Sequence, residues 1–156
     1  MRIRLIAVGQ RMQSWVESGC DEYVKRLPRE WNFELVALKA AARSDSRPVA
    51  AAMQAEARAI AGATGSDSRR VMLDERGRQV STAQFADRLT SWQRDGRDVA
   101  LIVGGADGLD PEFRASANEM LALSQLTLPH GIARLLVVEQ LYRAASLLQG
   151  HPYHRA

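Results

Sequence analysis

Short apolar runs and helical patterns alternate along the whole chain, and this alternation is the feature that most limits the possible folds. The apolar runs are RIRLIAV (2–8), FELVALK (33–39), RRVMLD (69–74) and DVALIVGG (98–105). Each has the length and the valine, isoleucine and leucine content of a buried strand. Strands that alternate with helices form parallel sheets covered on both faces. The sequence therefore predicts a single α/β domain, residues 1–156, with a mostly parallel sheet between helices.

The segments between the runs carry helix boundary signals. An apolar stripe that ends at Pro28 is formed by Trp15, Val16, Tyr23, Val24 and Leu27. The alanine-rich second helix has Pro48 in its first turn. Ser81 and Gln84 have the spacing of a capping box, and Gly96 closes the third helix.

The last third of the chain predicts a short helix, a strand and a long helix. Asp110, as N-cap, and Pro111 begin the short helix. LSQLTL (123–128) predicts a fifth strand that Pro129 stops. The final helix, about 131–148, is apolar around nearly its whole circumference, which indicates burial on every side. Because the sheet covers only one side of it, we expect a second copy to cover another, as a homodimer.

Composition excludes several classes of protein. No apolar run approaches the roughly 20 residues of a membrane helix, and no signal peptide precedes the first strand, so we expect a cytoplasmic protein without membrane contact. The single cysteine, Cys20, excludes an internal disulfide and a clustered thiolate metal site. Of the 21 basic residues only Lys25 and Lys39 are lysines. The arginine excess fits either a nucleic-acid partner or a genome-wide base composition.

Three predicted strands end in segments with binding potential, because ligands of parallel sheets bind beyond the carboxyl ends of strands. These segments are MLDERG (72–77), VGGADGLDP (103–111) and LSQLTLPHG (123–131). The second has neither the glycine spacing of a dinucleotide loop nor the lysine of a phosphate loop, and it is consistent with a tight turn. If it binds a ligand, Asp107 and Asp110 repel phosphate and favour a cationic or phosphate-free one.

The polar residues of LSQLTLPHG alternate with leucines. Such a segment, with unpaired backbone groups and an apolar wall, suits an adenine ring, and equally a half-buried strand. His130, beside Pro129, is interpreted as a structural turn residue.

Near the carboxyl terminus, Glu139 and Arg143 are four residues apart, the spacing of a surface ion pair or of the polar edge of a pocket. His151 and His154 have a spacing that suits a metal, but Pro152 interrupts any helix between them. With no cysteine or acidic cluster nearby, we expect no metal site.

Several motifs, in order and at matching spacing, occur together along the chain. They are AVG near the start, EYVKRLP, FEL, DGRDV, LIVGGADGL, LSQLTLPH, VVEQLYRA and the terminal HPYHR. Together they resemble the ribosomal RNA large subunit methyltransferase H family, within the SPOUT methyltransferases. The resemblance implies a homodimeric α/β enzyme with a trefoil knot near its carboxyl terminus. It also implies methyl transfer from S-adenosylmethionine to ring nitrogen 3 of a pseudouridine in large-subunit (23S) ribosomal RNA.

The resemblance also assigns residues. Cofactor contacts are expected at Leu73, Gly104, Gly105, Leu123, Ser124, Gln125, Leu126, Thr127 and Leu128. His154 is the candidate base, because the unperturbed pKa of histidine lies near neutrality, and a histidine at this place is equally suited to bind phosphate or to hold the chain end in position. Arg143 and Arg155 are expected to neutralise RNA phosphates or charge on the base, and Tyr153 to stack on a base or position its hydroxyl.

Other classes of protein remain possible at this stage. One is a non-catalytic ribosome-binding α/β dimer, and another is a flavodoxin-like nucleotide-binding protein.

Overall fold

A five-stranded parallel sheet forms the centre of the computed structural model, which describes residues 1–154, with the side chain of His154 outside the description. The strands are β1 (Ile3–Val8), β2 (Glu34–Leu38), β3 (Arg69–Gln79), β4 (Val99–Val103) and β5 (Glu119–Ala122). Their order across the sheet is β2-β1-β4-β3-β5, and all neighbouring pairs are parallel. The predicted parallel sheet is therefore confirmed.

Within the described residues, four α-helices connect consecutive strands and a fifth follows β5. They are α1 (Ser14–Val24), α2 (Val49–Thr64), α3 (Thr82–Asp95), α4 (Pro111–Ala115) and α5 (His130–Leu148), with short 3-10 helices at Arg29–Trp31 and Pro152–His154. The caps that the sequence predicts are present. Ser81 and Gln84 form a reciprocal capping box, and Gly96 ends α3 with φ of 80°. Asp110 accepts a hydrogen bond from the Phe113 N–H at the start of α4.

The helices cover both faces of the sheet. Alternate residues of each strand point to opposite faces, so β1 directs Leu5 to one side and Ile6 to the other. The larger core contains the inner faces of α1, α3 and α5, and the smaller one those of α2 and α4. At about 25 cal/mol per Å² of buried apolar surface, these two cores are the main source of stability.

The fifth strand is not where the sequence predicts it. It runs over Glu119–Ala122, and residues 123–128 form a loop rather than a strand. The apolar–polar alternation of LSQLTL was misleading because a strand needs a neighbouring strand, and the pairing of β5 with β3 ends at Ala122. Beyond that point the Ser124 hydroxyl accepts the N–H of Leu126 at 2.9 Å, a local bond that competes with sheet pairing.

The third strand is longer than predicted and irregular. Leu121 of β5 is the register partner of both Leu73 and Arg78, so residues 74–77 make a detour around it. A Cβ atom on Gly77 would lie 2.5 Å from the carbonyl carbon of Leu121, so only glycine permits this crossing. Two chain segments therefore pass in backbone contact beside the end of β5.

Trp15 is a second departure from the expectations. Its side chain is 53% exposed, although the stripe in α1 predicts it in the core. Val16 and Leu27 of the same stripe are buried, so the stripe was one residue too wide at its start.

Helix α5 packs on β4 and lies between α1 and α3. Together with the 3-10 helix at Pro152–His154, these make four neighbours in the same chain, which explain most of the apolar circumference that the sequence analysis attributed to the sheet and a second copy. Ile132 and Leu148 remain exposed at 36% and 42%. The homodimer stays a prediction.

Candidate functional site

The three predicted binding segments meet around one cavity of about 350 Å³ at the carboxyl ends of β3, β4 and β5. They converge because the carboxyl ends of parallel strands lie at the same edge of a sheet. The residues that line the cavity are Leu73, Asp74, Glu75, Arg76, Val103, Gly104, Gly105, Ala106, Asp107, Gly108, Leu109, Leu123, Ser124, Leu126, Thr127, Leu128, His130 and Ala133. Eight of the nine expected cofactor residues are among them; whether they contact a cofactor stays a prediction.

Gln125 is the ninth residue. Its side chain is exposed, and it is not part of the cavity lining. Its neighbours Ser124 and Leu126 face the cavity instead. Leu126 is 77% exposed, which leaves a large apolar side chain at the mouth of the cavity.

The glycine loop, residues 104–108, forms one wall by a tight turn. The N–H of Gly108 donates to the carbonyl of Gly105 at 3.0 Å, and Gly108 has φ of 82°, a conformation that glycine adopts without strain. A Cβ atom on Gly104 would lie 2.8 Å from the carbonyl carbon of Gly108. The turn therefore requires glycine at 104 for close approach and at 108 for its dihedral angle.

Carboxylates outnumber cations in the lining. Asp74, Glu75 and Asp107 are countered within it by Arg76 alone. The Asp74 side chain is only 6% exposed, and its Oδ1 accepts the N–H of Arg76 at 2.9 Å. Asp110, which the sequence analysis paired with Asp107, caps α4 and does not line the cavity. The lining itself is therefore acidic, although Arg43, outside the lining, pairs with Asp107 at 2.8 Å and Arg114 lies 3.9 Å from Asp74.

His130 lines the cavity from the first residue of α5, although the sequence analysis interpreted it as a turn residue. Burial lowers the pKa of its imidazole from the ordinary value of 6.5, the positive charge of Arg134 lowers it further, and Glu56 opposes both. The side chain therefore faces the cavity as a neutral imidazole at pH 7. Its position after a strand-end loop, beside a proline, is the signal that the sequence offered for it.

A carboxy-terminal cluster of Tyr23, Glu139, Tyr142, Arg143 and Tyr153 lies at the far end of α5. Glu139 Oε1 accepts from Arg143 Nε at 2.8 Å, and the Tyr153 hydroxyl lies 3.3 Å from both Glu139 Oε1 and the Tyr23 hydroxyl. The Tyr153 ring packs 4.5 Å from the ring of Tyr142 and 4.9 Å from the Arg143 guanidinium carbon. The chain end therefore folds back onto its own helix.

Both expected functional side chains of this cluster keep their ordinary charge state. Burial, the hydrogen bond to Tyr23 and the charge of Glu139 raise the pKa of Tyr153, so its phenol stays protonated. The hydrogen bond to Glu139 raises the pKa of Arg143, which stays positive. Tyr153 is thus a hydrogen-bond donor rather than a base, and Arg143 a fixed cation.

The structure brings eight of the nine expected cofactor residues to one cavity, and Arg143 is not among the residues that line it. Ala133 borders the cavity and Arg143 lies ten residues further along α5, which at 1.5 Å per residue is about 15 Å. The side chain of His154 and the whole of Arg155 lie outside the described residues. Within one chain, the cavity and the carboxy-terminal cluster are separate.

None of the helices within residues 1–154 has the length and apolar content to cross a bilayer. Within the same residues, histidine, cysteine, aspartate and glutamate side chains form no group of three or more that is able to hold a metal ion.

This chain resembles one protein family and at least two solved structures. Residues 1–154 match the family described as "Predicted SPOUT methyltransferase". Among solved structures, the tRNA (m1G37) methyltransferase of Aquifex aeolicus has a TM-score of 0.55 at 12% identity, covering 92% of this chain and 70% of that one. A probable methylase family protein of Haemophilus influenzae Rd KW20 has a TM-score of 0.54 at 14% identity, covering 99% and 70%. The class is therefore the SPOUT methyltransferases.

More similar relatives define the family within that class. A protein of Ralstonia nicotianae named Ribosomal RNA large subunit methyltransferase H is 54% identical over 99% of both chains. Proteins of the same name from Cupriavidus pinatubonensis and Burkholderia lata are 53% and 51% identical over 100% of both chains. The chain belongs to the ribosomal RNA large subunit methyltransferase H family, and it is a methyltransferase.

Proposed function

We propose that the protein transfers the methyl group of S-adenosylmethionine to ring nitrogen 3 of a pseudouridine in large-subunit ribosomal RNA. The observation that carries the proposal is the cavity of about 350 Å³ at the ends of β3, β4 and β5, in a chain 51–54% identical to relatives named Ribosomal RNA large subunit methyltransferase H. A ribosomal substrate assigns the activity to the cytoplasm.

The cavity has the size and the chemistry for this methyl donor. Its volume of about 350 Å³ lies in the range of small-molecule sites. Leu109, Leu126 and Leu128 supply an apolar wall for an adenine ring, and the backbone of the 123–128 loop supplies polar groups for its edge. The excess of carboxylates suits a ligand whose sulfur is positively charged, and the neutral His130 does not oppose it.

When bound, S-adenosylmethionine supplies an electrophilic methyl group on its sulfur. The reaction breaks the sulfur–methyl bond, forms a nitrogen–methyl bond and releases the proton of ring nitrogen 3 to a base. The glycine loop and the 123–128 loop hold the donor so that the nitrogen approaches in line, and this positioning supplies much of the acceleration.

Residues near the carboxyl terminus act on the RNA. His154 accepts the proton of ring nitrogen 3, because histidine titrates near neutral pH. Arg143 and Arg155 neutralise RNA phosphates or the charge that develops on the carbonyl oxygens of the base. Tyr153, protonated and half-buried, stacks on a base or donates its hydroxyl proton to one.

The distance of about 15 Å along α5 between the cavity and Arg143 supports a composite site in a homodimer. In such a dimer the chain end of one subunit reaches the cavity of the partner. The trefoil knot that the family implies is supported by the detour of residues 74–77 around Leu121, where two segments pass in backbone contact.

The direct test incubates the purified protein and S-adenosylmethionine carrying a labelled methyl group with ribosomes from a strain that lacks the enzyme. Mass spectrometry of the ribosomal RNA then locates the label. We expect one labelled pseudouridine in the large-subunit RNA, methylated at nitrogen 3. Label in small-subunit RNA, in transfer RNA or nowhere would reject the proposal. Binding of the cofactor in calorimetry separates this function from a non-catalytic ribosome-binding dimer, which would bind none.

A further inference from the structure

Glu56 of α2 is a buried acid, with 3% of its surface exposed. A buried carboxylate is costly unless hydrogen bonds and an opposite charge compensate it. Its Oε1 accepts the backbone N–H of Ala41 at 2.9 Å and Arg43 Nη1 at 2.6 Å. The acid is therefore held by the segment between β2 and α2.

Arg43 contacts a second carboxylate at the same time. Its Nη2 lies 2.8 Å from Asp107 Oδ2, and its Nε donates to the same oxygen at 2.9 Å. The hydrogen bond to Glu56, followed by that to Asp107, raises the pKa of the guanidinium, which stays charged. One planar fork thus joins the buried acid to a residue of the glycine loop, a geometry that the single ammonium of lysine does not reproduce.

The same buried acid also contacts the glycine loop directly. A Cβ atom on Gly105 would lie 2.5 Å from Glu56 Oε2 and 3.1 Å from its carboxyl carbon. The backbone at Gly105 therefore rests against the carboxylate, while Gly105 and Asp107 line the cavity. Glu56 and Arg43 are not among the lining residues, so any effect they have on a ligand passes through the loop.

We propose that Glu56 and Arg43 form a clamp that positions the glycine loop for the methyl-donor cofactor, fixing it at Gly105 and at Asp107. This inference rests on the proposed function. Glu56 contacts the backbone at Gly105 and so sets how closely the loop packs on α2. Arg43 holds the Asp107 side chain in place through its two contacts with Oδ2. Both are positioning residues that act on cofactor affinity.

The test measures cofactor affinity of the full-length protein by calorimetry, with S-adenosylmethionine and with S-adenosylhomocysteine, in the absence of RNA. Arg43→Lys keeps the charge but loses the fork, and we expect it to weaken both affinities about tenfold. Asp107→Asn removes the carboxylate that Arg43 contacts. The Asp107 side chain is 35% exposed, so the change buries no charge. Because both changes break the same Arg43–Asp107 interaction, the double variant should bind the cofactor about as weakly as Arg43→Lys alone.

Arg47→Lys is the matched control, because it makes the same change in the same segment between β2 and α2. The Arg47 side chain is exposed and does not line the cavity, so the cofactor affinity of this variant should equal that of the wild type. In turnover assays, the KM for the cofactor should rise about tenfold in Arg43→Lys while kcat changes less than about twofold. A general loss of folded protein would lower kcat instead.

Glu56→Gln is the most direct variant but risks misfolding, because the buried side chain at position 56 loses its ion pair with Arg43. Asp107→Asn keeps the test valid if Glu56→Gln does not fold. Affinities within twofold of wild type for both Arg43→Lys and Asp107→Asn, or additive losses in the double variant, would overturn the clamp. Absence of cofactor binding by the wild type would overturn the proposed function, and the clamp with it.

Discussion

The cavity and the carboxy-terminal cluster are built in different ways. Three loops that follow neighbouring strands of one chain enclose the cavity, whereas the cluster consists of side chains packed on each other at the far end of α5. The cavity has room for a ligand. Arg143 and Tyr153 already have partners in their own chain. Within one chain, Arg143 and Tyr153 therefore lie apart from the cavity, and the composite site in a homodimer stays a proposal.

If the two regions are independent, the largest effect on the cavity should come from Gly104→Val. Its Cβ would lie 2.8 Å from the carbonyl carbon of Gly108, and overpacking there displaces the turn. We expect cofactor affinity in calorimetry to fall by about 100-fold or more, which corresponds to about 2.8 kcal/mol. Gly62→Val is the control, because a Cβ on Gly62 of α2 meets no atom within 4 Å. Normal affinity in Gly104→Val would show that the loop is not a cofactor wall.

The converse variant is Arg143→Gln in the carboxy-terminal cluster. It removes the ion pair with Glu139, and we expect methylation of ribosomes to slow by about 100-fold because RNA is misplaced or its charge is uncompensated. Cofactor affinity should stay within twofold of wild type, since the cavity is about 15 Å away along the helix. Arg94→Gln, an exposed arginine in the last turn of α3, is the control. A parallel loss of cofactor affinity would contradict the separation of the two regions.

A smaller effect concerns the pH dependence of stability. Burial lowers the pKa of His130 in the folded protein below its ordinary value of 6.5. The unfolded chain therefore binds a proton there more readily, so the free energy of unfolding should fall as the pH drops below about 6.5. Denaturant unfolding between pH 7.5 and pH 5 should show a shallower decline in His130→Gln than in the wild type. The same substitution at the exposed His151 is the control, and equal slopes in wild type and His130→Gln would contradict the assignment.

Local signals in the sequence predicted much of the fold correctly. Four of the strands and the caps at Ser81, Gly96 and Asp110 follow from apolar runs and from the chemistry of single positions. The fifth strand was misplaced because pairing, rather than alternation, decides where a strand ends. Trp15 was wrongly predicted to be buried, because an apolar stripe on a helix does not show where the elements that pack against the helix end.

In the candidate site, too, the sequence predicted the features that depend on local patterns and missed those that depend on distant contacts. Its three segments were found because each follows an apolar run, a local pattern. Glu56 and Arg43 were missed because Arg43 pairs with Asp107, 64 residues away in sequence, and Glu56 lies against the distant Gly105, so only the fold brings them together. The detour of residues 74–77 around Leu121 is also non-local, and nothing in the sequence around Gly77 indicates it.

Complementation between two defective chains tests the composite site most directly. One chain lacks residues 151–156, and the other carries Gly104→Val; each homodimer should be inactive on ribosomes. In a mixed dimer, the intact cavity of the first chain meets the intact chain end of the second, so random mixing should restore about a quarter of wild-type activity. Proven mixed dimers without any activity would contradict the account and place the chain end and the cavity of one subunit in the same site.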